Sequence, residues 1–364
     1  MTLETDTTSG RPQPHSFSSE SAEEDDLSVT TTFATGGADE PTPAAEASPG
    51  FVVRKPAIFG RTPPAIFSVT LGLLGLGLAL KRVTVAGELP PALPDAVMGF
   101  ACGLWIFCAL AYGIKVVRRR GVVMEDLAIL PGRAGLASGS VGTFAFAATL
   151  SFFQPTVAAG ALVLGFALHL TLSVLTVKAL LAAPAEAREV TPAWHLSFVG
   201  FIVGALAAVP LGWVMLASSI LWITMAFALF IWTISLWQLW KRTPPAPLRP
   251  LLAIHLAPAS LFASVAGLLG FEDLAQGMVL LGLVILIALV ASGEWIIEAG
   301  FTPLWGAFTF PLAAFASALV INGWVLAGVL LTVIALGFIP MIAWRVLSMW
   351  PGGKLAAKTN AAQA

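Results

Sequence analysis

The sequence predicts an all-α membrane protein with ten transmembrane helices, and three observations lead there. Hydrophobic residues make up 57% of the 364 positions, charged residues 11%, and the mean hydropathy is +0.88. Soluble domains carry about 25% charged residues, so a water-soluble globular chain of this composition would expose large apolar patches and is excluded. The second observation is a set of long runs free of Asp, Glu, Lys and Arg. The third is a one-sided placement of the basic residues.

Residues 1 to 53 come first and differ from the rest. They hold ten acidic residues against one basic one, Arg11, in Ser-, Thr-, Pro- and Glu-rich runs such as SFSSESAEEDD. Without a spaced apolar face this stretch reads as a disordered acidic cytoplasmic tail, with no secretory signal in its first 30 residues. The transmembrane domain is expected over 54–347, followed by a short cytoplasmic C-terminal tail at 348–364.

A helix needs about 20 apolar residues to cross the hydrocarbon core. Single spans fit 63–80, 96–114, 250–271 and 274–293. The uncharged runs 134–177, 190–240 and 299–344 are 44, 51 and 46 residues long and each holds two helices. Turn residues stand near their middles: Gln154-Pro155-Thr156, Pro210-Leu211-Gly212 and Asn322-Gly323. Seventeen of the 19 Lys and Arg residues fall in the N-terminal tail, in the connections after even helices, or at the C-terminal end. Lys81 and Arg82 are the exceptions. The positive-inside rule then places both termini in the cytoplasm of a multi-pass protein of the cell (cytoplasmic or inner) membrane, built as five hairpins. Each odd helix begins just after a proline (Pro63, Pro131, Pro192, Pro250, Pro303), which fits either five independent helix starts or a repeated hairpin unit.

The odd helices carry small and hydroxylated residues, and the even helices are bulkier. Small residues allow close backbone approach, so the odd helices are expected inside, around a central pore. Pore-lining candidates are Ser68, Gly72, Ser138, Gly142, Gly200, Gly204, Ser260 and Ser264. The stripe Gly200, Gly204, Ala208, Gly212 fits a close helix contact, and for any single glycine of it helix packing without a pore role is the more ordinary reading. His195 and His255 stand near the expected cytoplasmic mouth, and His169 on an outer helix. No acidic or basic residue is expected within an odd helix, which argues against a proton-driven pump. There is no HExxH, Asp pair or Ser-His-Asp set in the spans, and Cys102 and Cys108 are too few for a metal centre. Neither an enzyme, a cofactor, a metal site nor a nucleic-acid partner is expected.

Four segments in order, PPAIFSVTLGLLGLGLAL at 63–80, TPAWHLSFVGFIVGALA at 191–207, PLRPLLAIHLAPASLF at 247–262 and WGAFTFPLAAFA at 305–316, resemble a known family. It is the tellurite-resistance/C4-dicarboxylate transporter family, which includes the bacterial TehA type and the plant slow anion channels. The resemblance covers about Pro63 to Trp344. It implies pseudo-fivefold symmetry, with odd helices lining the pore, even helices outside, and a homotrimer. It also implies an aromatic gate on the ninth helix. In Ala307-Phe308-Thr309-Phe310-Pro311 the Phe before proline is Phe310, with Phe308, about 200° around the helix, as the fallback. The function implied is gated, passive permeation of small inorganic or organic anions. The alternative is proton-coupled transport of C4-dicarboxylates or tellurite-type oxyanions.

Overall fold

A computed structural model describes residues 58–87 and 90–364, which belong to one compact unit. The acidic tail lies outside the described residues. Those residues are helical, with no strand among them. The α-helices in chain order are α1 (Ile66–Ala86), α2 (Ala92–Arg118), α3 (Val122–Ala128), α4 (Leu130–Leu150), α5 (Pro155–Ala182), α6 (Phe201–Ala208), α7 (Val214–Lys241), α8 (Leu256–Leu268), α9 (Glu272–Ala291), α10 (Gly293–Ile296), α11 (Thr309–Ile321), α12 (Val325–Leu347) and α13 (Lys354–Lys358). Three of them are entered through other geometry: a π-turn at His195–Val199 before α6, and 3₁₀ segments at Ala246–His255 before α8 and Pro303–Phe308 before α11. Pro250, which has no N–H to donate, falls within the 3₁₀ segment ahead of α8 rather than inside the α-helix itself.

Counting each 3₁₀ entry with its helix, eight helices among the described residues are long and apolar enough to cross a membrane. Leu130–Leu150 has the length but is diluted by Gly, Ser and Arg133, and His195–Ala208 is apolar but shorter. The breaks fall at Ser151–Gln154, Val209–Trp213, Leu269–Phe271 and Asn322–Trp324. Gly212 and Gly323, at φ +77° and +85°, supply left-handed backbone that a side chain would strain.

Burial separates two groups of helices. The spans containing α1, α8 and α11 are 78%, 78% and 72% buried, whereas those of α2, α5, α7, α9 and α12 are 28% or less. The walls of α4 and α6 are buried along most of their length. Contacts pass from α1 to α4, α6, α8, α11 and back to α1, and each of these inner helices also packs on the helix that follows it in the α2, α5, α7, α9, α12 set. The outer helices present Leu, Phe and Trp outward, as with Trp222, Phe227, Phe230 and Trp237 of α7. In lipid such a surface needs no further cover.

The structure corrects the expectation that inner helices hold no ionisable residue. The apolar run ends at Leu80, but α1 continues to Ala86 and takes in Lys81 and Arg82; α4 begins at Leu130 and takes in Arg133. Hydropathy marks where apolar surface ends, whereas backbone hydrogen bonding decides where a helix ends, and Lys and Arg are good helix formers with long apolar stems.

One polar knot ties the start of α1 to the rest. Lys115 on α2 is fully buried and donates from Nζ to Asp126 Oδ2 at 2.9 Å and to the Thr62 carbonyl at 3.0 Å. Tyr112 donates its hydroxyl to the same Asp126 oxygen at 2.9 Å, and the Ala362 N–H donates to Asp126 Oδ1 at 2.8 Å. Residues after α12 therefore fold back onto the body, burying Leu355 and Ala356 and setting the Ala364 N–H on the Gly60 carbonyl at 3.0 Å.

Candidate functional site

The inner helices enclose two small chambers in line, and the side chain they share is Phe310. Its position follows from the entry into α11. The 3₁₀ segment ends at Phe308, and Thr309 then anchors the first turn, donating its hydroxyl to Gly306 O at 2.7 Å and reaching Ser68 O of α1 at 3.2 Å. Pro311 sits in that first turn, where its missing N–H leaves no intrahelical bond unmade. Phe310 thereby points inward and is 6% exposed. Opposite it, a Cβ on Gly75 would lie 2.9 Å from Phe310 Cδ2, so the bare glycine makes room for the ring. Phe308 points away, against Trp305 at 5.8 Å and Phe338 of α12 at 6.3 Å between ring centroids.

The first chamber, about 40 Å³, lies at the N-terminal ends of the inner helices, with Ser68, Ser138, Leu196, Ile254 and Leu304 in its wall. The second, about 20 Å³, lies at their C-terminal ends, with Arg82, Ser151, Leu206, Ser264 and Ser317. All five inner segments contribute to both walls. One water needs roughly 10–15 Å³ of such space, so each chamber has room for very few small particles. No carboxylate or imidazole lines either chamber among the described residues. The first chamber faces five helix N-termini, which favour negative charge, and the second faces five C-termini, which oppose it.

Three of the sequence-selected lining residues, Ser68, Ser138 and Ser264, stand in these walls. The glycines do not, because each serves a helix contact. A Cβ on Gly72 would meet Thr309 Oγ1 at 2.2 Å, on Gly142 the Trp105 indole at 2.4 Å, on Gly200 Val141 at 2.5 Å, and on Gly204 the Phe166 ring at 2.9 Å. Ser260 is buried and donates to the Leu256 carbonyl at 2.7 Å. His195 and His255 are brought together, Nε2 to Nδ1 at 3.0 Å, but their neighbours Leu196 and Ile254 face the chamber while the imidazole pair faces Trp232. His169 hydrogen-bonds Ser140 across α5 and α4 at 2.7 Å. Arg82, Ser151, Gly75 and Ser317 also line the second chamber, and the sequence does not mark them as lining. The placement of Arg82 against the positive-inside pattern was the one signal available for it.

A family model described as voltage-dependent anion channel (SLAC1) matches residues 61–350, which takes in both chambers and every span described above. Comparison with individual curated proteins gave no match. Members of that family are anion channels or transporters of the membrane rather than enzymes, in keeping with the helical, lipid-facing exterior. On a match that covers most of its length, this multi-pass membrane chain belongs to the SLAC1 voltage-dependent anion channel family, the same family as the tellurite-resistance/C4-dicarboxylate transporters.

Proposed function

We propose that the protein gives gated, passive permeation to small anions along the axis through the two chambers, and that Phe310 is the gate. The observation that carries this reading is the position of the Phe310 ring, which lines both chambers at once and separates them. The closed contacts among α1, α4, α6, α8 and α11 support ten spans arranged as five hairpins with pseudo-fivefold symmetry. Conduction needs sites that hold an ion weakly enough to release it. A wall of hydroxyls, backbone and apolar side chains with one cation, Arg82, is suited to that, and among the described residues it offers no acid for the proton relay that coupled dicarboxylate or tellurite transport requires.

In this reading both termini face the cytoplasm, the first chamber opens toward it, and residues 1–53 form an appended tail. The protein is proposed to assemble as a homotrimer in the cytoplasmic (inner) membrane. His195 and His255 act at the cytoplasmic mouth by holding the entries to α6 and α8 together.

Liposome flux tests the proposal. Phe310→Ala should raise chloride or nitrate efflux driven by voltage alone by tenfold or more on the order-of-magnitude scale set by removing a steric plug. Phe308→Ala should leave it near the wild-type value. Removing a packed Phe can destabilise by about 3–5 kcal/mol, so monodispersity is measured on the same samples. Well-folded Phe310→Ala protein without added flux defeats the gate. Flux that appears only with a pH gradient replaces the channel with the coupled carrier.

A further inference from the structure

Two adjacent basic residues near the end of α1 both stand by the Phe152 ring, Lys81 Nζ 5.8 Å from its centroid, but they differ in their charged partners. Lys81 turns to α2 and pairs with Asp95 at 2.8 Å. Arg82, one residue or about 100° further round the helix, turns into the second chamber. There it makes no hydrogen bond or ion pair among the described residues; its guanidinium lies over the Phe152 ring, 5.4 Å from the centroid. Arg82 is half-buried, and an enclosed cation without a carboxylate is unfavourable unless something else compensates its charge.

The surroundings indicate what that is. The C-termini of all five inner helices converge on this chamber, and their carbonyl ends produce a field that repels anions. An anion path ending there needs a fixed positive charge to remain passable. Arg82 is the charged residue in the chamber wall. Ser317 stands in the same chamber wall on α11, the helix packed beside α1; it is 8% exposed, and its hydroxyl makes no hydrogen bond among the described residues, so it is free to donate. Ser151 and Ser264 already donate to Ala148 O and Ser260 O.

We propose that Arg82, with the hydroxyl of Ser317, forms a binding site for a small monovalent anion of the halide or nitrate class in the chamber at the C-terminal ends of the inner helices. This rests on the channel reading above and deepens it by giving the pore a selectivity site on the side of Phe310 away from the cytoplasmic mouth. A space of about 20 Å³ suits a single small ion and excludes a dicarboxylate in this conformation. The Phe152 face holds the guanidinium without neutralising it, because a ring contributes only a weak partial charge. The site also accounts for Arg82 standing on the side of the membrane where basic residues are otherwise scarce.

The test separates binding from flux. Chloride-35 line broadening on the purified full chain, with nitrate as competitor, should show a saturable component. Arg82→Met should weaken it by about tenfold or more, the scale expected from losing one unit charge at contact in a partly enclosed site. Arg82→Lys, which keeps the unit charge but not the planar guanidinium, should bind more tightly than Arg82→Met, and Phe152→Leu, which keeps the charge and removes the ring, should retain binding within about threefold. A wild-type chain without saturable broadening, an Arg82→Met chain that binds like wild type, or a Lys variant as weak as Met each overturns the site. In liposomes, Arg82→Met in the Phe310→Ala background should lower chloride flux several-fold and shift the reversal potential toward cations; an unchanged reversal potential also overturns it. If Phe310→Ala alone opens no flux, the gate reading falls while the binding titration still decides on Arg82.

Discussion

Lys115 and Arg82 are both enclosed cations on helices α2 and α1, and their partners could hardly differ more. Lys115 meets a carboxylate, a backbone carbonyl and the ring of Tyr112, 5.0 Å from Nζ, and has no exposed surface. Arg82 meets an aromatic face and a chamber. A charge whose hydrogen bonds are all made inside the protein contributes to the fold; a charge left facing a cavity is available to a ligand. On the proposed reading, the contrast separates a structural cation from a ligand-binding one.

The largest expected effect tests the structural half. Lys115→Met leaves Asp126 buried without its counter-charge and Thr62 O without a donor, a loss of about 3–5 kcal/mol. Thermal unfolding in detergent should show a lowered midpoint and a fraction of aggregated chain. A midpoint equal to wild type would mean that the knot contributes nothing and would remove the contrast.

A smaller effect is expected from replacing both partners. In Lys115→Met with Asp126→Leu no buried charge remains, so the double variant should be less destabilised than the sum of the two single changes. It should still fall below wild type, because the Tyr112 hydroxyl and the Ala362 N–H lose their acceptor. Strict additivity in the cycle would show that Lys115 and Asp126 are not coupled.

Arg82→Met should change stability by less than about 1 kcal/mol, since it removes one cation–aromatic contact and also relieves an enclosed charge. Stability near wild type, measured beside the loss of chloride binding, sharpens the comparison. A drop as large as that of Lys115→Met would make Arg82 a second structural cation.

The smallest effect belongs to the exposed pair Arg119–Glu125, which closes the loop between α2 and α3. The hydrogen bond from Arg119 holds the Glu125 carboxyl below its usual range. A depressed folded-state pKa contributes stability above the unfolded value and loses it as pH falls through the folded one. Solvent screening reduces that contribution, so Glu125→Gln should leave the midpoint at pH 7 within error, with any difference removed by salt. A clear loss at high salt would show that the pair matters beyond its surface position.

Much of the fold was legible because it is written in local composition. Uncharged runs of 44 to 51 residues with turn residues in the middle become helix pairs with breaks at Gln154, Gly212 and Asn322-Gly323, as the sequence indicates. The site was legible only in part. Of the residues picked as lining, the serines at 68, 138 and 264 reach the chambers, while Gly72, Gly142, Gly200 and Gly204 are used where another helix presses against them. In a chain where the same residue types serve packing and permeation, smallness alone cannot separate the two uses.

Composition determined that lipid is the solvent, where the apolar segments begin and break, and that positive charge collects at one set of ends, since each of these depends on residues near one another in sequence. Tertiary structure decided rotation: Phe310 inward and Phe308 outward, Arg82 into a chamber and Lys81 onto Asp95, Ser264 in a wall and Ser260 against its own helix. A helix places successive residues about 100° apart, and its angle about its axis is set by contacts with segments far away in sequence, such as Thr309 against Ser68 across 241 residues.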